Sequence, residues 1–431
     1  MKRWSSRGSM VALLALTVGF GCAIPEEPAP WYLSSARPYP APSPSYPYPS
    51  LSSDSTGAPS ESPASAIGPT IHDFAILYPL PESSSPEGLL RPSQGVADPA
   101  HSTLLSRETF ARLLPRGLLD HATRASFDDL AVVGIRPEGC IVYYDQAGGS
   151  CKPEVRVVVQ ALRPDPATAF VAATDGAIHI TYKADTVDFS ALFSTLAKAR
   201  IEAGIGEAPL GPHPVLVAQG LRGKVAEALR EAFAPVFVDA NIQKITAYDH
   251  EVVDGEHHWV FSALERAASG ELVPMAIPTL ASRTAQTLIG TEPGAPLASA
   301  YARVSEGVGS GDKLAAIVGQ ERPASFALGS PQALEIEGAF EEALRLEDPA
   351  RHNPANTDCA GCHVAEGARR IGMELYGFRA NLLSPRGKPL PTMPPRGLTN
   401  LHAFGYLGRS PQVTARVFYE AEATLGGLRL R

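Results

Sequence analysis

Glu154-Val155-Arg156-Val157-Val158-Val159-Gln160-Ala161-Leu162 reads as a β-strand. Val155, Val157 and Val159 recur at every second position, the period at which side chains return to one face of a sheet. β-Branched residues suit that pleated surface. An earlier β-branched run, Leu130 to Ile135, makes a natural partner, and Cys140 and Cys151 lie in the loop between the two. Working outward, Thr70 to Leu80, Ala177 to Lys183, Ile242 to Tyr248, His257 to Leu264 and Leu272 to Ile277 read as further strands. Arg107 to Leu119, Phe189 to Ala203 and Leu221 to Phe233 have helical spacing, with Leu192, Leu196 and Ile201 expected on an inner face. Strands in neighbouring runs beside a few helices predict an α+β or sandwich-like domain over residues 70–325, β-rich and without internal repeats.

Downstream the pattern turns helical. Gln332 to Leu346 places Leu334, Phe340 and Leu344 toward a core, and Gln412 to Thr424 does so with Val413, Val417, Phe418 and Ala421. Residues 326–431 are therefore expected to form a second, small, mainly α domain. Gly307 to Lys313 lacks the spacing of a phosphate loop and reads as linker between the two.

The chain has 431 residues and a net charge of 37 − 45 = −8. That sign leaves no electrostatic footprint for nucleic acid or an anionic lipid surface. Lys2, Arg3 and Arg7 precede an apolar run from Met10 to Phe20, too short to span a bilayer, so residues 1–22 read as an export signal. The run ends at Gly19-Phe20-Gly21-Cys22, which resembles the lipobox of bacterial lipoproteins. That resemblance implies acylation of Cys22, and Ala23 after it resembles lipoproteins sent to the outer membrane. Residues 23–69 repeat proline every second or third position around Pro38 to Pro44, then turn Ser-, Ala- and Gly-rich. This composition makes an extended tether.

Near the C-terminus stands Cys359-Ala360-Gly361-Cys362-His363. C-x-x-C-H is the attachment signature of a c-type haem. On one helical turn, Cys359, Cys362 and His363 occupy positions i, i+3 and i+4 and share a face. The thiols can then add to the haem vinyl groups while the imidazole binds iron. Of the remaining cysteines, Cys140 and Cys151 form an isolated pair in an exported chain. A disulfide closing that short loop would stabilise by about 3 kcal/mol, the alternative being two free core thiols. His250, His257 and His258 do not read as a metal cluster, because adjacent histidines in a strand point to opposite faces.

A helix, the C-x-x-C-H turn, a Pro-rich loop containing Pro391-Thr392-Met393-Pro394-Pro395, and a terminal helix follow one another over the last hundred residues. In this order they resemble a small class I cytochrome c. The resemblance implies covalent haem c, His363 as one axial ligand, and Met393 as the candidate second. His402, in Asn400-Leu401-His402-Ala403-Phe404, is the rival second ligand, and Met373 is expected in core packing. The whole chain also resembles exported bacterial lipoproteins with a Cys-paired β domain and a C-terminal C-x-x-C-H segment. Cys140, Cys151 and the Asn-Leu-His-Ala-Phe-Gly-Tyr run at 400–406 carry that likeness, which implies architecture and no activity.

The leading expectation is an envelope-anchored monohaem electron carrier, with a redox protein as partner and the membrane reached through the lipid anchor. The rival is a non-redox envelope binding or scaffold lipoprotein. In it Cys359 and Cys362 form a disulfide, or with His363 hold a structural zinc that needs a fourth ligand such as His352 or His402. A haem enzyme with an open distal site, such as a peroxidase, is a third reading, but such enzymes resemble two-haem proteins and this chain has one motif.

Overall fold

The structure is a computed structural model, which describes residues 69–83, 85–93, 103–113, 126–138, 153–165, 167–206, 210–253, 256–278, 284–290, 329–349, 357–379 and 401–429. Cys22, the tether, the Cys140–Cys151 pair, the 307–313 segment and Met393 all lie outside these residues.

An antiparallel sheet of nine strands dominates the fold. Its strands are β1 (Ile76–Leu77), β2 (Leu130–Glu138), β3 (Glu154–Pro164), β4 (Val171–Ala173), β5 (Gly176–Lys183), β6 (Ile242–Val253), β7 (Glu256–Arg266), β8 (Leu272–Pro274) and β9 (Ala285–Gly290). The order is β1-β2-β3-β5-β6-β7-β8, with β4 also on β3 and β9 also on β7. Among the described residues the C-terminal part contributes the helices α5 (Pro331–Leu346), α6 (Cys359–Tyr376) and α7 (Ala415–Arg429). Before them come α1 (Arg107–Leu113), α2 (Phe189–Glu202), α3 (Pro214–Gln219) and α4 (Lys224–Phe233). A separate hairpin pairs β10 (Phe404–Leu407) with β11 (Ser410–Val413).

Register divides the sheet into two chemically different faces. Ile135 pairs with Val157, Val157 with Ile180, and Ile180 with Ile245. All four are buried, and they belong to an apolar face on which α1 to α4 pack. Ser262 donates to the Leu113 carbonyl at the end of α1. Phe233 of α4 stacks on Phe237, which lies 5.2 Å from Tyr182 of the sheet. The opposite face carries Arg136 paired with Arg156, His179 with Thr246, and Tyr248 with Phe261. Polar groups buried there need partners, and the C-terminal elements provide them.

Gln160 is the clearest example. Its side-chain amide accepts from Tyr406 N at 2.7 Å and donates to Tyr406 O at 2.9 Å, so it docks β10 as a neighbouring strand would. Gly405, at φ +141°, lets that amide approach, because a Cβ there would sit 2.5 Å from Gln160 Oε1. Buried residues from 70–325 and from 329–425 thus form one continuous core, within a single compact unit spanning Pro59–Arg431.

The α+β class expected from the sequence is present, with several details revised. Thr70 to Leu80 is mostly not strand: Ile71–Asp73 is a 3-10 turn, because the Asp73 carboxylate caps Thr70 N at 2.5 Å. Ile201 and Leu334 are 52% and 59% exposed rather than inward. The buried stripes of their helices run through Leu192, Phe193 and Leu196, and through Ile336, Phe340 and Ala343. Gln412 and Val413 belong to β11, so the last helix starts later than its apolar spacing implied.

Candidate functional site

Asp358 begins the site by capping α6. Its carboxylate accepts from Gly361 N at 2.9 Å, satisfying one of the orphan donors of the first turn. Gln286, from strand β9, fixes how that turn meets the sheet. It donates to Asp358 Oδ2 at 2.8 Å and accepts from Ala360 N at 2.9 Å. Cys359, Cys362 and His363 therefore share one turn whose orientation the sheet edge sets, as their spacing predicted.

His363 Nδ1 lies 2.6 Å from the Leu401 carbonyl oxygen. A carbonyl only accepts, so Nδ1 carries the proton, and in the neutral ring the lone pair is on Nε2. The imidazole packs 5.1 Å from the Tyr248 ring and 5.2 Å from Phe261, centroid to centroid. Cys359 and Cys362 are half-buried free thiols, not joined to each other. Burial pushes the Cys359 thiol up to about 12, against the pull of Lys244 and with the push of Asp358. Burial raises Cys362 too, with Arg416 opposing and Glu420 adding.

His402 is buried, with Nδ1 3.5 Å from Asp175 Oδ1 and its ring edge-on to Tyr248. Asp175 Oδ2 lies 3.4 Å from His250 Nδ1, and His250 stacks on Trp259 at 5.0 Å. His250 is therefore a partnered histidine. Burial raises Asp175, and His402 pulls it down.

Beside Cys362 lies a group of charges that the motif gave no hint of. Glu420 of α7 accepts from Arg136 and lies 3.0 Å from Arg416 Nε and 3.9 Å from Arg156 Nη1. Glu138 lies 3.0 Å from Arg156. Burial alone would raise Glu420; three guanidinium groups override it and hold the carboxyl at about 2. A related cluster ties α5, α6 and α7 together. Arg369 lies 2.8 Å from Glu347 and 2.9 Å from Glu366, whose other oxygen accepts from Ala415 N at the start of α7.

Between these clusters the polar face is less covered. Lys244, Thr246 and His179 are half-buried although they stand in the middle of the sheet. Phe404, Tyr406 and Glu420, on the covered part, are almost fully enclosed. The first turn of α6 borders this opening: the Cys359 thiol feels the Lys244 charge and Cys362 feels Arg156.

The residues present fit a covalently attached haem. Two uncharged sulfurs on one turn can become thioethers without bringing charge into a buried place. An imidazole whose Nδ1 donates to a backbone carbonyl keeps its lone pair on Nε2, the nitrogen that would ligate iron. Among the described residues, no three His, Cys, Asp or Glu side chains converge as a metal centre would require. The arrangement suits vinyl attachment, in which sulfur and imidazole do not meet, better than a shared zinc ion.

Register, not motif, brings in the residues the sequence reading missed: His179, Asp175, Gln286 and the Glu420 cluster. Their one sequence signal is the polar half of the alternation at Arg156 and Gln160, between the valines. No known family model matches this chain, and no similar protein is found among curated proteins or solved structures.

Proposed function

We propose that this protein is an envelope-anchored monohaem c-type electron carrier. Cys359 and Cys362 are its attachment residues and His363 Nε2 is the first axial ligand. The observation that carries the reading is the His363 Nδ1 to Leu401 hydrogen bond on the turn that holds both thiols. It fixes the tautomer with the lone pair on Nε2, as ligation requires. When bound, the haem supplies one-electron chemistry; the chain's own residues supply the rest. Gln286 and Asp358 orient the turn. Tyr248 and Phe261 pack against the imidazole and hold its ring. The Leu401 carbonyl, by accepting from Nδ1, makes the ring a stronger donor.

The same reading includes export, acylation of Cys22, a tether over 23–69, and a disulfide between Cys140 and Cys151. It also includes a redox protein partner at the periplasmic or outer-membrane surface. Cytochrome-like describes the attachment chemistry of the C-terminal part; its packing belongs to the larger sheet. The rival scaffold reading has less support. Its zinc would demand thiolates where burial favours the protonated form.

The full chain, expressed with the haem-attachment machinery, is expected to give a pyridine haemochrome spectrum and a mass increased by one macrocycle. Cys362→Ser is expected to lose the covalent colour. A colourless mature chain of unmodified mass would falsify the assignment.

A further inference from the structure

We propose that Asp175 is a positioning residue of the haem site: through His402 it holds the Leu401 carbonyl against His363 Nδ1, and so sets how strongly that imidazole donates to iron. This rests on the haem reading and deepens it. It also puts His402, the rival second ligand expected from sequence, outside the coordination of the iron.

The chain of contacts starts at the sheet. Asp175 immediately precedes β5, whose first residue, Gly176, pairs with Asp249 of β6. One of its carboxylate oxygens lies 3.4 Å from His250 Nδ1, and His250 stacks on Trp259 of β7 at 5.0 Å. The other oxygen lies 3.5 Å from His402 Nδ1. The carboxylate therefore bridges a histidine of the sheet and a histidine of the C-terminal layer. Tyr248 closes the link, because its ring meets His402 edge-on at 5.6 Å and packs 5.1 Å from His363.

The segment that carries His402 is fixed at each residue. Leu401 and His402 are buried, and the Ala403 carbonyl accepts from Thr414 N at 2.9 Å. A carbonyl in so constrained a segment cannot follow a drifting imidazole, so the 2.6 Å bond from His363 Nδ1 is imposed by the fold. Such a bond orients the ring and makes its other nitrogen more basic. Hydrogen bonding around the axial ligand is one of the levers on a haem potential. His402 leaves the chain one residue after that carbonyl, on the Nδ1 side of His363. A second ligand must approach the iron from beyond Nε2.

The test uses the full chain made with the haem-attachment machinery and, in parallel, the same chain made without haem. Loosening the anchor should weaken the Nδ1 bond and raise the midpoint potential. Loss of negative charge alone would shift Asp175→Asn and Asp175→Ala alike. Positioning predicts a larger rise in Asp175→Ala than in Asp175→Asn, which keeps a polar group facing both imidazoles. His402→Ala should raise the potential with the wild-type spin state, and His402→Gln, which restores a donor toward Asp175, should recover much of that shift. In the haem-free chain, nitrogen-correlated NMR should find His363 as the Nδ1–H tautomer, and Asp175→Ala should move it toward a mixture. If Asp175→Ala does not fold, the His402 pair carries the test. Equal shifts in the two Asp175 variants, a changed spin state in His402→Ala, or a haem-free tautomer indifferent to Asp175→Ala overturns the proposal. A wild-type chain with no haemochrome overturns the haem reading, and the haem-free tautomer then still decides whether Asp175 positions His363.

Discussion

Gln286 shows how much one side chain can determine. It is buried, and both ends of its amide are used by the first turn of α6. Gln286→Ala leaves the Ala360 N–H and one Asp358 oxygen without these bonds, at a cost of about 1–3 kcal/mol. Urea unfolding of the full chain should read that loss. Glu420 is more demanding, because it balances Arg136, Arg156 and Arg416 in a buried place. Glu420→Gln should destabilise by about 3–5 kcal/mol, since it leaves excess buried positive charge. A variant that unfolds at the wild-type urea concentration would show that water reaches the arginines. At this scale the sequence displays what is local. The C-x-x-C-H turn is legible because its geometry depends on five adjacent residues. Gln286 and Glu420 are not, because their partners are 72 and 284 residues away.

The hairpin β10–β11 shows the same limit for a whole element. Its stretch contains Gly405, Gly408 and Pro411, residues that normally punctuate loops, so nothing in its pattern announces a strand. It forms because the Gln160 amide pairs with its backbone and because Phe404 finds a recess at Gly134. A Cβ at Gly134 would lie 2.6 Å from Phe404 Cε1 and 3.3 Å from the Ile76 carbonyl. Gly134→Ala should therefore cost about 1–3 kcal/mol through overpacking. Trimming the ring with Phe404→Leu should recover part of that loss, and a double-mutant cycle by thermal unfolding measures the coupling. Strands β2 and β3 were legible for the opposite reason. β2 is a β-branched run, the valines of β3 repeat at the strand period, and each is the other's neighbour in the chain.

Taken whole, the molecule holds acidic groups with opposite pH behaviour. Burial lifts Glu347 to about 8, Arg369 opposes and Glu366 adds. In the unfolded chain a glutamate titrates near 4.3. The folded state therefore binds more protons between these values, and stability falls as pH rises from about 4 toward 8. Glu420 acts the other way: its folded value of about 2 means its contribution is present above the unfolded value and lost as pH falls toward 2. The urea midpoint should thus be lower at pH 9 than at pH 6. Glu347→Gln should flatten that alkaline slope without changing the acid limb, which Glu420→Gln should change. An alkaline slope that persists in Glu347→Gln would assign it elsewhere. None of this was readable from composition, because the net charge of −8 says nothing about which carboxylates the fold encloses.

The lopsided sheet has a consequence for how the protein is made. Strands β2 to β7 can pair, and helices α1 to α4 can cover their oily side, before the last hundred residues have been synthesised. Until then Arg136 and Arg156 face water, and the unfinished product is a half-clad sheet with a cationic flank. The finishing layer brings the counter-charge of Glu420 and the Cys359–His363 turn in the same stretch of polypeptide. Cys359 and Cys362 are therefore fully accessible while that layer is still loose, and docking of the layer leaves them half-buried.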